Sequence, residues 1–156
     1  MQASREQIYQ ALFDKISSIT DFIVAERRLV KPESVTAEDM PALFMIQENE
    51  TSEAQKQLHG TPIKRELTVH VEIYVRSPDP VIDPDTGVST LTYPCSIINP
   101  LVDKLDNILL PIPGNPRQTL EGLVEWVYVG EVKYYNHPTA NQMMLTVPIT
   151  MLWFQA

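Results

Sequence analysis

The chain has 156 residues, 44% hydrophobic and 21% charged, and carries a formal charge of -8 from 12 basic and 20 acidic side chains. That length fits one folded domain over residues 1–156, hiding about two thirds of its unfolded surface, and the acidic balance disfavours sequence-specific nucleic-acid binding, which needs clustered Lys and Arg. Cys95 is the sole cysteine, so no internal disulfide can form and a reducing cytoplasm is expected; no run approaches the roughly 20 apolar residues that cross a bilayer, and MQASREQIYQ has no apolar leader core, so neither secretion nor membrane spanning is expected.

Ser4 and Gln7 form a capping box, and Ile8, Leu12, Ile16 and Ile19 follow at helical spacing, with Tyr9 and Phe13 widening the stripe. An amphipathic helix from about Ser4 to Ser18 is predicted. FIVAERRLV, ending near Arg27-Arg28, reads as a short strand with a solvated edge. Between Glu33 and Glu53 the acids Glu33, Glu38, Asp39, Glu48, Glu50 and Glu53 meet no Lys or Arg. Within that stretch Met40 to Gln47 predicts a buried strand beginning at Pro41, flanked by polar loops that like charge keeps solvated and apart.

Lys64 to Arg76 is the organising stretch. Arg65, Leu67, Val69, Val71, Ile73 and Val75 alternate with Glu66, Thr68, His70, Glu72, Tyr74 and Arg76, which predicts a strand with one buried and one wet face. A strand of about a dozen residues spans about 40 Å, more than one small core requires. Part of it is therefore expected to project or to pair with another chain. The stretch that follows, Ser77 to Tyr93, holds Pro78, Pro80, Pro84 and Asp85-Thr86-Gly87, which rule out regular helix. It reads either as a hairpin-like arm ordered by a neighbouring subunit or as a mobile loop.

A second helix is predicted from Asn99 as N-cap and Pro100 at its first position, burying Leu101, Leu105 and Ile108 beside Val102 and Leu109. Leu120 to Val132 and Gln142 to Phe154 predict two closing strands, with KYYNHPTAN between them as a turn carrying exposed aromatics. Pro148 cannot donate to a ladder and sets the last strand at an edge or a bulge. Helices segregated from a mostly antiparallel sheet make an α+β fold, with two helices packed on one face and an extended loop arm.

No residue pattern points to catalysis. His59, His70 and His137 stand apart and read as surface histidines, His70 and Glu72 being the one pair at ligand spacing. Cys95 has neither base nor cation beside it in sequence and reads as a buried or half-buried thiol. Five scattered glycines form no phosphate cradle, and DPDTG reads as a turn, not as a calcium loop or an aspartic-protease triplet. Trp126, Tyr128, Tyr134 and Tyr135 have only Lys133 near them, too little charge for base stacking, which leaves core packing or a partner surface. No catalytic residue, cofactor or metal is assigned.

The opening helix, the short strand with Arg27-Arg28, Pro41-Ala42-Leu43-Phe44 at a strand start, the long alternating strand, NPLVDKLDNIL, the Leu120-x-Gly122 step and the terminal apolar strand together resemble the tail terminator proteins of long-tailed bacteriophages over nearly the whole chain. The long Pro-rich loop and the length between Asn49 and Pro62 depart from that pattern. The resemblance implies a virion tail protein, assembled in the host cytoplasm, that forms a homo-oligomeric ring, a hexamer, on the tail tube protein. Such a ring ends tube polymerisation and presents a surface to the head connector protein, with DNA only passing through its lumen and no membrane partner. On that reading Glu66, Thr68, His70, Glu72, Tyr74, Arg76, Val81 and Ile82 are subunit-interface candidates. Glu38, Asp39, Glu48, Glu50 and Glu53 are candidates for the lumen or a ring end. Two alternatives stand beside it: a head-to-tail connector or neck protein of similar fold, and a small cytoplasmic hydrolase or ligand-binding domain.

Overall fold

The computed structural model of the chain describes residues 2–53, 62–136 and 141–155. Helix α1 (Arg5–Ser17) begins where the sequence predicts: Ser4 Oγ accepts from the Gln7 amide at 3.2 Å, and Gln7 Oε1 accepts from the Ser4 amide at 2.8 Å. These reciprocal bonds satisfy amides that a helix start leaves without partners. The stripe of Ile8, Tyr9, Leu12 and Ile16 is buried. Helix α2 (Pro94–Ile108) buries Ile98, Leu101 and Leu105.

The start of α2 differs from expectation. Pro94, not Pro100, occupies the first helical position, Tyr93 is the N-cap residue, and Pro100 lies inside the helix. Pro100 forfeits the bond to the Ser96 carbonyl, and Ser96 and Pro100 are both exposed, so solvent can stand in for the missing amide. Cys95 is exposed too, contrary to the buried or half-buried thiol expected.

The sheet runs β1 (Val24–Glu26), β2 (Ala42–Ser52), β3 (Ile63–Arg76), β8 (Gln142–Gln155), with β6 (Trp126–Val129) and β7 (Lys133–Asn136) sharing the outer side of β8. Among the described residues only β1 and β2 are parallel; the other pairings in this sheet are antiparallel. The α+β class with a mostly antiparallel sheet is borne out. Both helices pack on one face, where Leu67, Val69, Val71, Ile73 and Val75 of β3 and Leu145, Val147, Ile149 and Met151 of β8 meet α1 and α2 in the main core.

Four local expectations give way to tertiary pairing. Ladder bonds from β3 draw Glu48–Ser52 into β2, where a polar loop was expected; a bulge between Gln47 and Asn49 accommodates the extra Glu48. The strand expected from Leu120 begins only at Trp126. Leu120, Glu121 and Gly122 have φ of 49°, 59° and 89°, a left-handed run that no strand contains. KYYN is a strand, not a turn, because it pairs with Met143 to Thr146 of β8; His137, like His59, lies outside the described residues. The long strand β3 is interior, matched by β2 on one side and along its whole length, Ile63↔Gln155 to Arg76↔Gln142, by β8 on the other. Its surplus length is therefore hydrogen-bonded within its own chain on both edges.

Pro148 sits at the interruption between β6 and β7, as its missing donor requires. Its carbonyl accepts from the Gly130 amide at 2.8 Å, and a Cβ on Gly130 would lie 2.7 Å from Pro148 Cγ. Only a residue without a side chain lets the two strands meet there.

The stretch after β3 is a hairpin. Its strands β4 (Val81–Ile82) and β5 (Ser89–Thr90) pair with each other and belong to a separate two-stranded sheet. The connecting turn closes through Asp83: its Oδ1 accepts from the Asp85 amide at 2.8 Å and its carbonyl from the Gly87 amide at 2.8 Å. The Asp85 amide, with Thr86 beside it, holds the Asp83 carboxyl below its usual range. Residues 78–93 are all exposed, and Ser77 before them is buried.

Candidate assembly surface

The face of the sheet opposite the helices is divided in two. At the β1 end, Val30, Val35 and Met40 pack over Ala42, Phe44 and Tyr74 to make a second, smaller core. Phe44 and Tyr74 meet edge to face, with centroids 5.8 Å apart and planes at 78°. The segment 30–40 reaches there through a 3-10 turn (Ala37–Asp39) closed by Thr36 and Asp39, whose Oδ2 accepts from the Thr36 amide at 3.0 Å and its hydroxyl at 2.9 Å.

Beyond that patch the face is open. Successive outward pairs of β3 and β8 are Glu66 with Leu152, Thr68 with Thr150, His70 with Pro148, Glu72 with Thr146 and Arg76 with Gln142. The Thr68 and Thr150 hydroxyls lie 3.2 Å apart. At its far margin the Trp126 and Tyr128 rings meet tilted at 46° with centroids 4.9 Å apart, and the Arg117 guanidinium lies 5.3 Å from the centre of the Trp126 ring. Phe154 adds a ring that is 42% exposed. Mixed polar and aromatic sheet faces of this kind suit contact with another protein surface better than a small-molecule pocket.

Six of the interface candidates, Glu66 through Arg76 at alternate positions, thus share one face, but they are not equivalent. Tyr74 is a correction: it is buried by the 30–40 segment, because its ring fills the second core, and its hydroxyl donates to Glu72 at 2.9 Å. Burial, reinforced by Glu72, raises its pKa strongly. Glu66, Thr68, His70 and Glu72 are half-buried and Arg76 is exposed. Val81 and Ile82 lie on the arm, 68% and 66% exposed, where Val88, Leu91 and Tyr93 are also uncovered.

The acidic candidates do not form one surface. Glu50 points to the helix side, between Arg5 Nη2 at 2.7 Å and Arg65 Nη1 at 2.9 Å, with the Arg5 guanidinium 5.5 Å from the centre of the Trp153 ring. The Arg5 hydrogen bond holds the Glu50 carboxyl below its usual range. Glu48, the bulged residue, meets His70 Nε2 at 2.9 Å on the open face. Glu53 pairs with Lys64 at 3.0 Å. Cations from outside the acidic stretch thus pair with Glu50 and Glu53, and the stretch is not left to like-charge repulsion alone. Glu38 stays exposed beside Asp39 in the covering segment.

Arg5, Arg65 and Trp153 were not legible as partners of Glu50, since three remote segments converge there. Among the described residues, no group of three or more His, Cys, Asp and Glu is placed to hold a metal ion, and no helix is long and apolar enough to cross a membrane. No known family model and no curated protein matches the chain.

Proposed function

We propose that this chain is a structural protein that assembles into a ring of identical copies capping the end of a phage tail tube, where it ends tube polymerisation and offers the surface that meets the head connector. The observation that carries the proposal is the arm: a hairpin with five uncovered large apolar side chains, Val81, Ile82, Val88, Leu91 and Tyr93, whose strands pair, among the described residues, only with each other. Exposed apolar groups concentrated on a projecting element mark a protein contact. A closed ring of one kind of subunit is built from heterologous contacts, in which such an arm meets a different patch on the next copy. The resemblance of the chain to tail terminators supports the tail-tube setting, and the net charge of -8 suits a lumen that lets DNA pass without retaining it.

Removing residues 78–92 tests the reading directly. The shortened chain is expected to keep the main core and to remain a monomer, whereas the intact chain gives a ring by light scattering and native mass measurement. Rings of unchanged size from the shortened chain would sink the arm's role. In virions lacking the protein, overlong tails support termination; normal tails separated from heads point instead to a connector.

A further inference from the structure

We infer that the arm of one copy docks on the outer edge of β2 in the next copy, adding Val81–Ile82 as a short strand in the groove beside Arg27-Arg28-Leu29. The inference rests on the ring reading above and names the surface that receives the arm.

The receiving site is a gap in the sheet. β1 covers only Ala42, Leu43 and Phe44 of β2, and among the described residues no strand pairs with the outer edge of β2 beyond Phe44. β1 ends at Glu26, the chain bends at Arg27-Arg28, and a groove of about 380 Å³ opens between Arg27, Arg28 and Leu29 on one side and Met45, Ile46 and Gln47 on the other. An uncovered strand edge is a template for another strand. The opening is short: the bulge between Gln47 and Asn49 interrupts the ladder on its far side, leaving three residues, 45–47, in regular register.

The arm matches this gap in length, polarity and charge. Pro80 and Pro84 bracket Val81, Ile82 and Asp83, and because proline cannot donate to a ladder, the bracketed segment can add as a strand of three residues and no more. Leu29, 72% exposed, offers an apolar surface to Val81 and Ile82. The arm carries Asp79, Asp83 and Asp85 and no Lys or Arg, whereas the rim of the groove carries Arg27 and Arg28, with Lys31 just beyond. Arg27 is held by Glu6 at 2.6 Å and Gln10 at 2.7 Å, while the Arg28 side chain is 63% exposed beside Glu26. Arg28 is therefore the cation that an incoming acidic arm would meet. Opposite charges of this kind fix register and partner choice more than they add affinity.

The test uses the full chain with Cys95→Ser, which removes the native thiol, and with both Leu29→Cys and Ile82→Cys. Mild oxidation followed by a non-reducing gel is expected to give a ladder of covalent multimers, because each copy bonds forward through one cysteine and backward through the other. Adding Arg28→Glu to the same chain is expected to lower the multimer yield about tenfold, since like charges placed against each other oppose docking. Disulfide-closed monomer in place of the ladder would mean that the arm lies on its own groove and would overturn the inference. Assembled particles by light scattering with no disulfide between these positions would overturn it and leave the ring reading standing. A protein with native Leu29 and Ile82 that stays monomeric at every concentration would remove the ring reading, and this inference with it.

Discussion

The two faces of β3 and β8 come from the same residues in alternation, yet they have opposite fates. On the helix face Leu67, Val69, Val71, Ile73, Leu145, Val147, Ile149 and Met151 are all 0% exposed. On the other face Glu66, Thr68, His70 and Glu72 remain half-buried, and apolar cover arrives only at the end where Val30, Val35 and Met40 reach Tyr74. The difference separates stability from contact: one face is completed by the chain's own helices, and the other is left with polar, aromatic and apolar groups in a plane. Only the first is a core in the thermodynamic sense, because hydrophobic stabilisation follows apolar area removed from water.

The sharpest way to break that comparison is to truncate one residue on each face. Leu145→Ala is expected to lower unfolding free energy by about 3 kcal/mol, whereas Thr146→Ala, its neighbour on the open face, should stay within about 0.5 kcal/mol; urea denaturation of both decides it, and equal losses would erase the distinction. Next in size is Gly130→Ala. The added Cβ meets the Pro148 ring at 2.7 Å, a contact with a rigid ring that cannot swing aside, and the loss is expected to be about 2 kcal/mol. A thermal scan showing no drop would mean the β6–β8 approach is looser than its geometry.

Val35→Ala probes whether the covered patch is a core at all. Removing two buried methyl groups is expected to cost about 1.5 kcal/mol, and an unchanged urea midpoint would mark the 30–40 segment as dispensable to stability. The smallest effect is expected for Glu50→Gln. Because Arg5 holds the Glu50 carboxyl below its ordinary value of 4.5, its contribution to stability is full above that value and fades as pH falls through the lower folded-state value. Stability measured from neutral to acid pH should fall less steeply below about pH 4.5 in the Gln variant; parallel curves would show that the pairing with Arg5 and Arg65 is screened out in solution.

Legibility followed the range of the interactions. The Ser4–Gln7 capping box and the alternation of β3 and β8 are local patterns, set by a few neighbouring residues or by the pleat itself, and they read correctly. The helix at Pro94 did not, because two prolines offer equally good local starts and only packing of Ile98 beside Leu101 chooses between them. Glu48 to Ser52 looks like a loop by composition, yet the ladder to Arg65 through Thr68 supplies main-chain bonds that override weak strand propensity. Cys95 reads as a small apolar residue, and its exposure follows from its place at the start of α2, where nothing packs over it.

The α+β class and the buried stripes of α1, β3 and β8 were written in periodicity, since periods of two and of nearly four fix which side chains share a face before any fold exists. Tertiary structure alone decided that β3 lies in the middle of the sheet, that Glu50 is held by Arg5 and Arg65, and that β2 keeps an open edge beside Arg28. Those outcomes depend on which remote segments meet, and the choice among meetings is made by summed burial and hydrogen bonding across the whole chain.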